Sequence, residues 1–307
     1  MKKGKSKDVL YLPVDALFHL MALMPFRVLY MISDVIYFLV YNVVGYRRKI
    51  VHKNLKESFP EKNEEEICRI ERRFYHFFAD YFVETIKLLH VSDDEIRRRL
   101  VFHDVDIIDR YLDEGRSILI YAAHYANWEW LPSVTLWSRH DFTEKVFGSV
   151  YRPLNNDWFN SLFLHLRQRF YTHCFAKRTV FRDLLRLRNE KKQAIIGFMS
   201  DQHPSVTESG HVIRFLNHDT AIITGSELLA RKLNYVVLYF EPHRLSRGHY
   251  ECYIREIAPN PGEKPMYSIS DEYARRLETQ IKEDPSIWLW THNRWKHKVK
   301  LNAESGE

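Results

Sequence analysis

The stretch SILIYAAHYANWE, residues 117–129, decides how this chain is read. Its first half, with Ile118, Leu119 and Ile120 in succession, suits a strand buried on both faces. The run stops at His124, and Asn127-Trp128-Glu129-Trp130-Leu131 reads as the first turns of a helix with Asn127 as its cap. On one continuous helix, residues five apart lie well round from each other, so His124 and Glu129 meet only where strand gives way to helix between them. This pattern predicts a base, His124, with an orienting carboxylate, Glu129, at the end of a strand. A histidine beside aromatics also has a plainer reading, as a hydrogen-bonded structural residue.

Working outward, strands are expected near 117–123, 145–151, 194–200, 211–216, 235–241 and 250–257, and helices near 127–138, 156–170, 180–190, 222–233 and 271–283. The alternation predicts an α/β protein, a mixed sheet with helices on its faces, in which 235–241 and 250–257 pair as a hairpin. His124, Arg152 and the pair Asp201-Gln202 each follow a strand. Open α/β sheets bind ligands at the carboxyl ends of their strands, so a base, a cation and an acid are expected in one crevice.

That set suggests a chemistry. An imidazole held by a carboxylate at one nitrogen takes a hydroxyl proton at the other, and the alkoxide attacks an acyl carbonyl. Arg152 or backbone amides would then stabilise the oxyanion or hold a neighbouring phosphate. The chain lacks a G-x-S-x-G elbow, which favours direct transfer between two bound substrates over an acyl-enzyme. His203, His211 and His218, with Asp201 and Asp219, match neither HExxH nor a Cys/His finger, so no metal is expected. With ten glycines and neither G-x-G-x-x-G nor a P-loop, no nucleotide cofactor is expected.

Composition sets the outer bounds. The 307 residues are 45% hydrophobic, enough to bury a full core, and carry a net charge of +6 with 14% aromatics. Anionic, partly apolar partners fit that balance: a phospholipid surface, an acidic protein or nucleic acid. A nucleic-acid-binding protein is the non-enzymatic rival, but it leaves the hydrophobic N-terminus unexplained. Cys68, Cys174 and Cys252 are odd in number and widely spaced, which speaks for a reducing compartment over a disulfide framework.

Behind Lys2, Lys3, Lys5 and Lys7, residues 9–46 hold only Asp15, Arg27 and Asp34 as charges. Pro25 and those charges interrupt a simple span, and basic residues flank both sides, so two helices lying in or dipping into one leaflet suit it better. A pair of buried soluble helices is the alternative. The division expected is a membrane-associated helical segment over 1–46 and a catalytic domain over 47–307. Residues 57–90 read as a helix opened by Pro60, and 165–192 as a basic face that is either solvated or a docking site. Trp288, Trp290 and Trp295, interleaved with cations through Lys298, suit either a membrane interface or the core.

Several segments taken together resemble the lysophospholipid acyltransferase superfamily, in its lipid A biosynthesis acyltransferase branch. They are YRRKIVHKNLKESFP at 46–60, FADYFVETIKL at 78–88, HYANWE at 124–129, VYRPLNN at 150–156, SDQ at 200–202 and WLWTHNRWK at 288–296. The resemblance implies a glycerol-3-phosphate-acyltransferase-like fold and a catalytic His124 and Glu129 dyad, with Arg152, Asp201, Gln202 and Asn127 toward substrate. It implies an acyl thioester donor, on acyl carrier protein or coenzyme A, and a hydroxyl acceptor on a lipid A precursor or another glycolipid or phospholipid. The place implied is the cytoplasmic face of the bacterial inner membrane, among membrane lipid. One departure stands out: IRFLNH at 213–218 lies where relatives carry Phe-Phe-Gly.

Overall fold

A computed structural model of the chain describes residues 5–204, 211–297 and 299. Two apolar helices come first, α1 (Lys5–Leu23) and α2 (Phe26–Phe38), and a π turn, Leu39–Val44, prolongs the second. Phe26–Val44 is a helical run long and apolar enough, by length and composition alone, to cross a membrane. Both helices pack on a later long helix through a small core of Met21, Ala22, Leu29, Val83 and Ile86.

α3 (Arg48–Ser58) leads into that long helix, α4 (Glu64–Lys87). Its start is Asn63 rather than Pro60. The Asn63 side chain accepts from the Glu66 N–H while Glu66 accepts from the Asn63 N–H, a reciprocal cap that satisfies two otherwise orphaned donors. α4 carries its aromatic core stripe as read, but the same inner side also buries Glu71, Asp80 and Glu84.

The remaining elements follow: α5 (Asp93–Arg99), β1 (Leu100–His103), α6 (Asp106–Asp113), β2 (Ile118–Ala122), β3 (Val146–Tyr151), α7 (Asp157–Gln168) and β4 (Thr172–Ala176). Then come α8 (Val180–Asn189), β5 (Ala194–Met199), β6 (Val212–Phe215), β7 (His218–Ala221), α9 (Gly225–Leu233), β8 (Val236–Ser246), β9 (His249–Ala258) and α10 (Ser268–Glu283). Seven strands form one sheet in the order β1-β9-β8-β2-β5-β3-β4. Strands β8, β2, β5, β3 and β4 run parallel; β8 and β9 pair antiparallel as the expected hairpin, and β1 lies parallel to β9. The mixed sheet flanked by helices is therefore what the sequence predicts. β2 sits mid-sheet and every residue of it is buried, in keeping with its unbroken apolar run.

Three local expectations need correction. Residues 127–138 do not form an α-helix; they turn tightly and settle into a 3₁₀ stretch, Leu131–Leu136. Asn127 through Leu131 are all buried, so the segment has no polar face with which to be an amphipathic helix, and Pro132 removes a donor. Strands β1, β4 and β7 were not expected, because they are short and carry polar residues such as His103, His173 and Asp219. Finally, 213–218 belongs to a separate hairpin of β6 and β7, with Leu216 (φ 46°) and Asn217 (φ 65°) turning it in the left-handed region.

Candidate active site

The site grows from two neighbouring strands. Ala122 of β2 is in register with Met199 of β5, and both strands run the same way. His124 lies two residues past one strand end and Asp201 two past the other. Parallel pairing thus delivers them to the same point on the carboxyl edge of the sheet.

There Asp201 Oδ1 lies 2.8 Å from His124 Nδ1 and Oδ2 accepts the His124 backbone N–H at 3.0 Å. Trp288 Nε1 donates to the same Oδ2 at 2.9 Å. Asp201 is buried, which by itself favours its neutral form, but the His124 charge and hydrogen bonds, with that of Trp288, outweigh burial and hold it down at about 2. An ionised Asp201 takes the proton-bearing side of the ring at Nδ1, so whenever the imidazole is neutral its lone pair lies on Nε2. Gln202 Nε2 lies 3.3 Å from that Nε2, and the His124 side chain keeps 19% exposure. A ring held by a carboxylate at one nitrogen, with the other free of a charged partner, is the arrangement that general-base chemistry requires.

Glu129 is elsewhere. Its carboxylate takes two hydrogen bonds from Arg167 on α7, Nε to Oε2 at 2.9 Å and Nη2 to Oε1 at 2.6 Å. The expectation that Glu129 orients His124 is corrected accordingly: the carboxylate on the His124 ring is that of Asp201. The cause is local. Ala126 takes the left-handed conformation at φ 54°, held by its N–H donating to the Ile287 carbonyl, and the helix that would have swung Glu129 toward the histidine does not form. Glu129 still borders the site through packing, since Trp128 meets the His124 ring edge-on at 5.2 Å and stacks on Tyr81 at 4.0 Å.

The remaining expected residues divide. Gln202 is at the site. Arg152 follows β3, two strands from β2 on the same edge, and is exposed with no hydrogen bond or ion pair among the described residues. Asn127 is buried and caps no helix; its Nδ2 donates to Glu84 Oε2 at 2.6 Å, on the α4 side. Of the histidines weighed for a metal, His211 pairs with Asp271 at 2.6 Å and His218 stacks on Trp295 at 4.0 Å, while the His203 backbone N–H donates to His292 Nε2 at 3.1 Å. These partners hold them on separate elements.

Reading the sequence missed the segment that closes the site from behind. Leu289 N–H donates to the His124 carbonyl at 3.0 Å, and Tyr125 bridges to Trp288. Trp288 and Trp290 are buried, which resolves those two tryptophans toward the core; Lys298 lies outside the described residues. Burial pushes His292 down to about 4 and Arg294 down to about 10. The Arg294 Nη2 donates to the Ala221 carbonyl at 2.7 Å, while its Nε has no partner. The visible signal was the dense W-L-W-T-H-N-R-W-K run, where aromatic and cationic residues crowd together.

Residues 8–297 match the family described as bacterial lipid A biosynthesis acyltransferase. Among curated proteins, the chain is similar to the lipid A biosynthesis lauroyltransferase of Escherichia coli K12, 23% identical over 274 residues, covering 89% of this chain and 87% of that one. It is likewise similar to the lipid A biosynthesis palmitoleoyltransferase of the same organism, 23% identical over 257 residues, with 81% of this chain and 79% of the relative covered. A lipid A biosynthesis acyltransferase of Shigella flexneri matches to the same extent. With the match spanning nearly the whole length, the chain belongs to the bacterial lipid A biosynthesis acyltransferase family and is an acyltransferase.

Proposed function

We propose that this enzyme moves a fatty acyl group from an acyl thioester to a hydroxyl of a lipid A precursor or closely related glycolipid, with His124 as general base. The observation that carries this is the partly exposed His124 ring, held by Asp201 at Nδ1 and met at Nε2 by the neutral amide of Gln202. His124 Nε2 takes the acceptor's hydroxyl proton as the oxygen attacks the thioester carbonyl. The tetrahedral intermediate then collapses, the C–S bond breaks, and the proton passes from the imidazolium to the departing thiolate. No covalent acyl-enzyme is required. Gln202 steadies Nε2, and Arg152, exposed on the same edge, meets an anionic group of the substrate.

The donor is acyl carrier protein or acyl-coenzyme A. Arg178, Arg182, Arg186 and Arg188, all exposed on or just before α8, offer a cationic approach to either. The enzyme works at the cytoplasmic face of the bacterial inner membrane, where donor and lipid acceptor meet. The test is incubation of the purified chain with labelled acyl thioester and lipid A precursor, read by mass spectrometry. An acylated glycolipid that disappears with His124→Ala supports the reading. Free fatty acid released regardless of acceptor, or wild-type turnover by His124→Ala, overturns it.

A further inference from the structure

We propose that α1 and α2 lie flat in one leaflet of an anionic phospholipid membrane, with their outer face among acyl chains and their inner face fastened to the catalytic body, and do not cross the bilayer. The proposal rests on the membrane-associated part of the function above.

The inner face of α2 combines buried Phe26 and Leu29 with polar groups that are engaged by the body. Ser33 Oγ donates to Asp80 Oδ1 at 2.7 Å, and Tyr30 OH donates to Glu84 Oε1 at 3.0 Å. Asp34 accepts from Arg247 Nη2 at 2.6 Å and pairs with His76 Nε2 at 3.1 Å. Arg247 comes from the turn between β8 and β9 and also pairs with buried Asp80 at 2.7 Å. The outer face is the reverse: Met31 is 68% exposed, Val35 58%, Phe38 57%, Val43 64% and Val44 71%, joined by Leu17, Leu20 and Leu23 of α1, each more than half exposed. So many exposed large apolar side chains on two successive helices mark a lipid or protein contact.

Its occupant follows from length and charge. The 19-residue run Phe26–Val44 is about 28 Å long, close to the hydrocarbon thickness of a bilayer. Standing upright, it would place Asp34 near the midplane, and the Asp34–Arg247–Asp80 network would have to enter hydrocarbon or break. Lying in the plane instead holds half-exposed Asp34, at the border of the apolar face, near headgroup level with its pairs to Arg247 and His76 intact. Exposed Arg27 at one end of α2 and exposed Lys49 beyond the other then both face the headgroups of one leaflet, which favours anionic lipid.

The apolar face also leads toward the site. Tyr11 of α1 stacks on Trp158 at 4.9 Å and accepts from Asn156 Nδ2 at 2.9 Å, and Phe18 meets the same indole at 6.0 Å. Exposed Leu154 and Phe159 belong to this segment, which begins at Arg152. A lipid acceptor held in the leaflet would thus reach the carboxyl edge of the sheet sideways, headgroup first.

The experiment uses the full chain in sealed inner-membrane vesicles. Arg27→Cys and Lys49→Cys are made singly in a background carrying Cys68→Ser, Cys174→Ser and Cys252→Ser, and probed with a membrane-impermeant maleimide. Both positions should label in inverted vesicles and both be protected in right-side-out ones. Labelling from opposite sides overturns the proposal. A second arm floats the protein with phosphatidylethanolamine–phosphatidylglycerol vesicles. The triple variant Met31→Glu, Val35→Glu, Phe38→Glu should bind at least tenfold less than wild type; undiminished binding, or wild type that does not float, also overturns it. Neither readout requires turnover, so an inactive protein that labels from one side refutes the proposed reaction and leaves this inference standing.

Discussion

Asp201 receives two hydrogen bonds from His124, one from the ring at 2.8 Å and one from the main chain at 3.0 Å, so a single carboxylate sets both the tautomer of that imidazole and the path of the loop that carries it. Asp201→Asn keeps the shape and removes the charge. In that variant kcat should fall by roughly 100- to 10,000-fold, while KM for the acyl thioester changes little, because the loss lies in the proton-transfer step. His124→Ala should fall at least as far. Steady-state kinetics on folded protein, checked by circular dichroism, decides the matter, and an Asp201→Asn enzyme within tenfold of wild type would mean the carboxylate does not serve the base.

The Glu129–Arg167 pair makes a different prediction, since both groups are mostly buried and bonded bidentately. Removing one partner strands a charge in a low-dielectric setting, so Glu129→Ala and Arg167→Ala should each destabilise by roughly 3 kcal/mol. The double variant should lose clearly less than the sum of the two. Urea denaturation of all four proteins measures the coupling; strict additivity would show that the pair contributes nothing as a unit. Activity should fall with either single change, through Trp128 and its edge-on contact with the His124 ring.

Arg152 should behave in the opposite way. It is exposed and holds no partner among the described residues, so Arg152→Ala should leave stability within about 0.5 kcal/mol of wild type. Its effect belongs in substrate binding: KM should rise several-fold, more steeply at low ionic strength, where the interaction with an anionic substrate is least screened. A salt-independent KM would show that Arg152 does not meet an anionic group.

How far the site was legible follows from which facts are local. The ends of β2, β3 and β5 could be read because apolar runs stop at His124, Arg152 and Asp201, and those stops mark the carboxyl edge of the sheet. The pairing of His124 with Asp201 could not be read in the same way. It spans 77 residues and depends on β5 lying beside β2, with β3 and β4 placed beyond it, an order no local pattern encodes. Glu129 was the carboxylate nearest in sequence, yet its side chain answers to Arg167 across 38 residues. The left-handed Ala126 was equally invisible, since its conformation is imposed by the hydrogen bond to Ile287.

Glu84 offers the last test, because it ties α4 to three elements at once. It is fully buried and accepts from Tyr30 of α2 at 3.0 Å, from Asn127 beside the site at 2.6 Å and from Tyr250 of β9 at 3.0 Å. Burial, with Asp80 nearby, pushes it up to about 7, against the three donors that favour its ionised form. The sign of the pH dependence follows. Between about pH 4.5 and 7 the folded carboxyl keeps a proton that the unfolded one has released, so this group's contribution is full below that window and declines as pH rises through it, by roughly 3 kcal/mol in all. Half-buried His292, pushed down to about 4, acts in the opposite sense below about pH 6.5, so the quantity to measure is the difference between wild type and Glu84→Gln. Urea midpoints at pH 5, 6, 7 and 8 should show the stability gap between the two proteins narrowing as pH rises, because only wild type loses the Glu84 contribution. A gap that stays constant across that range would mean Glu84 does not titrate there, and that its contacts with Tyr30 and Asn127 are made by a carboxylate of ordinary acidity.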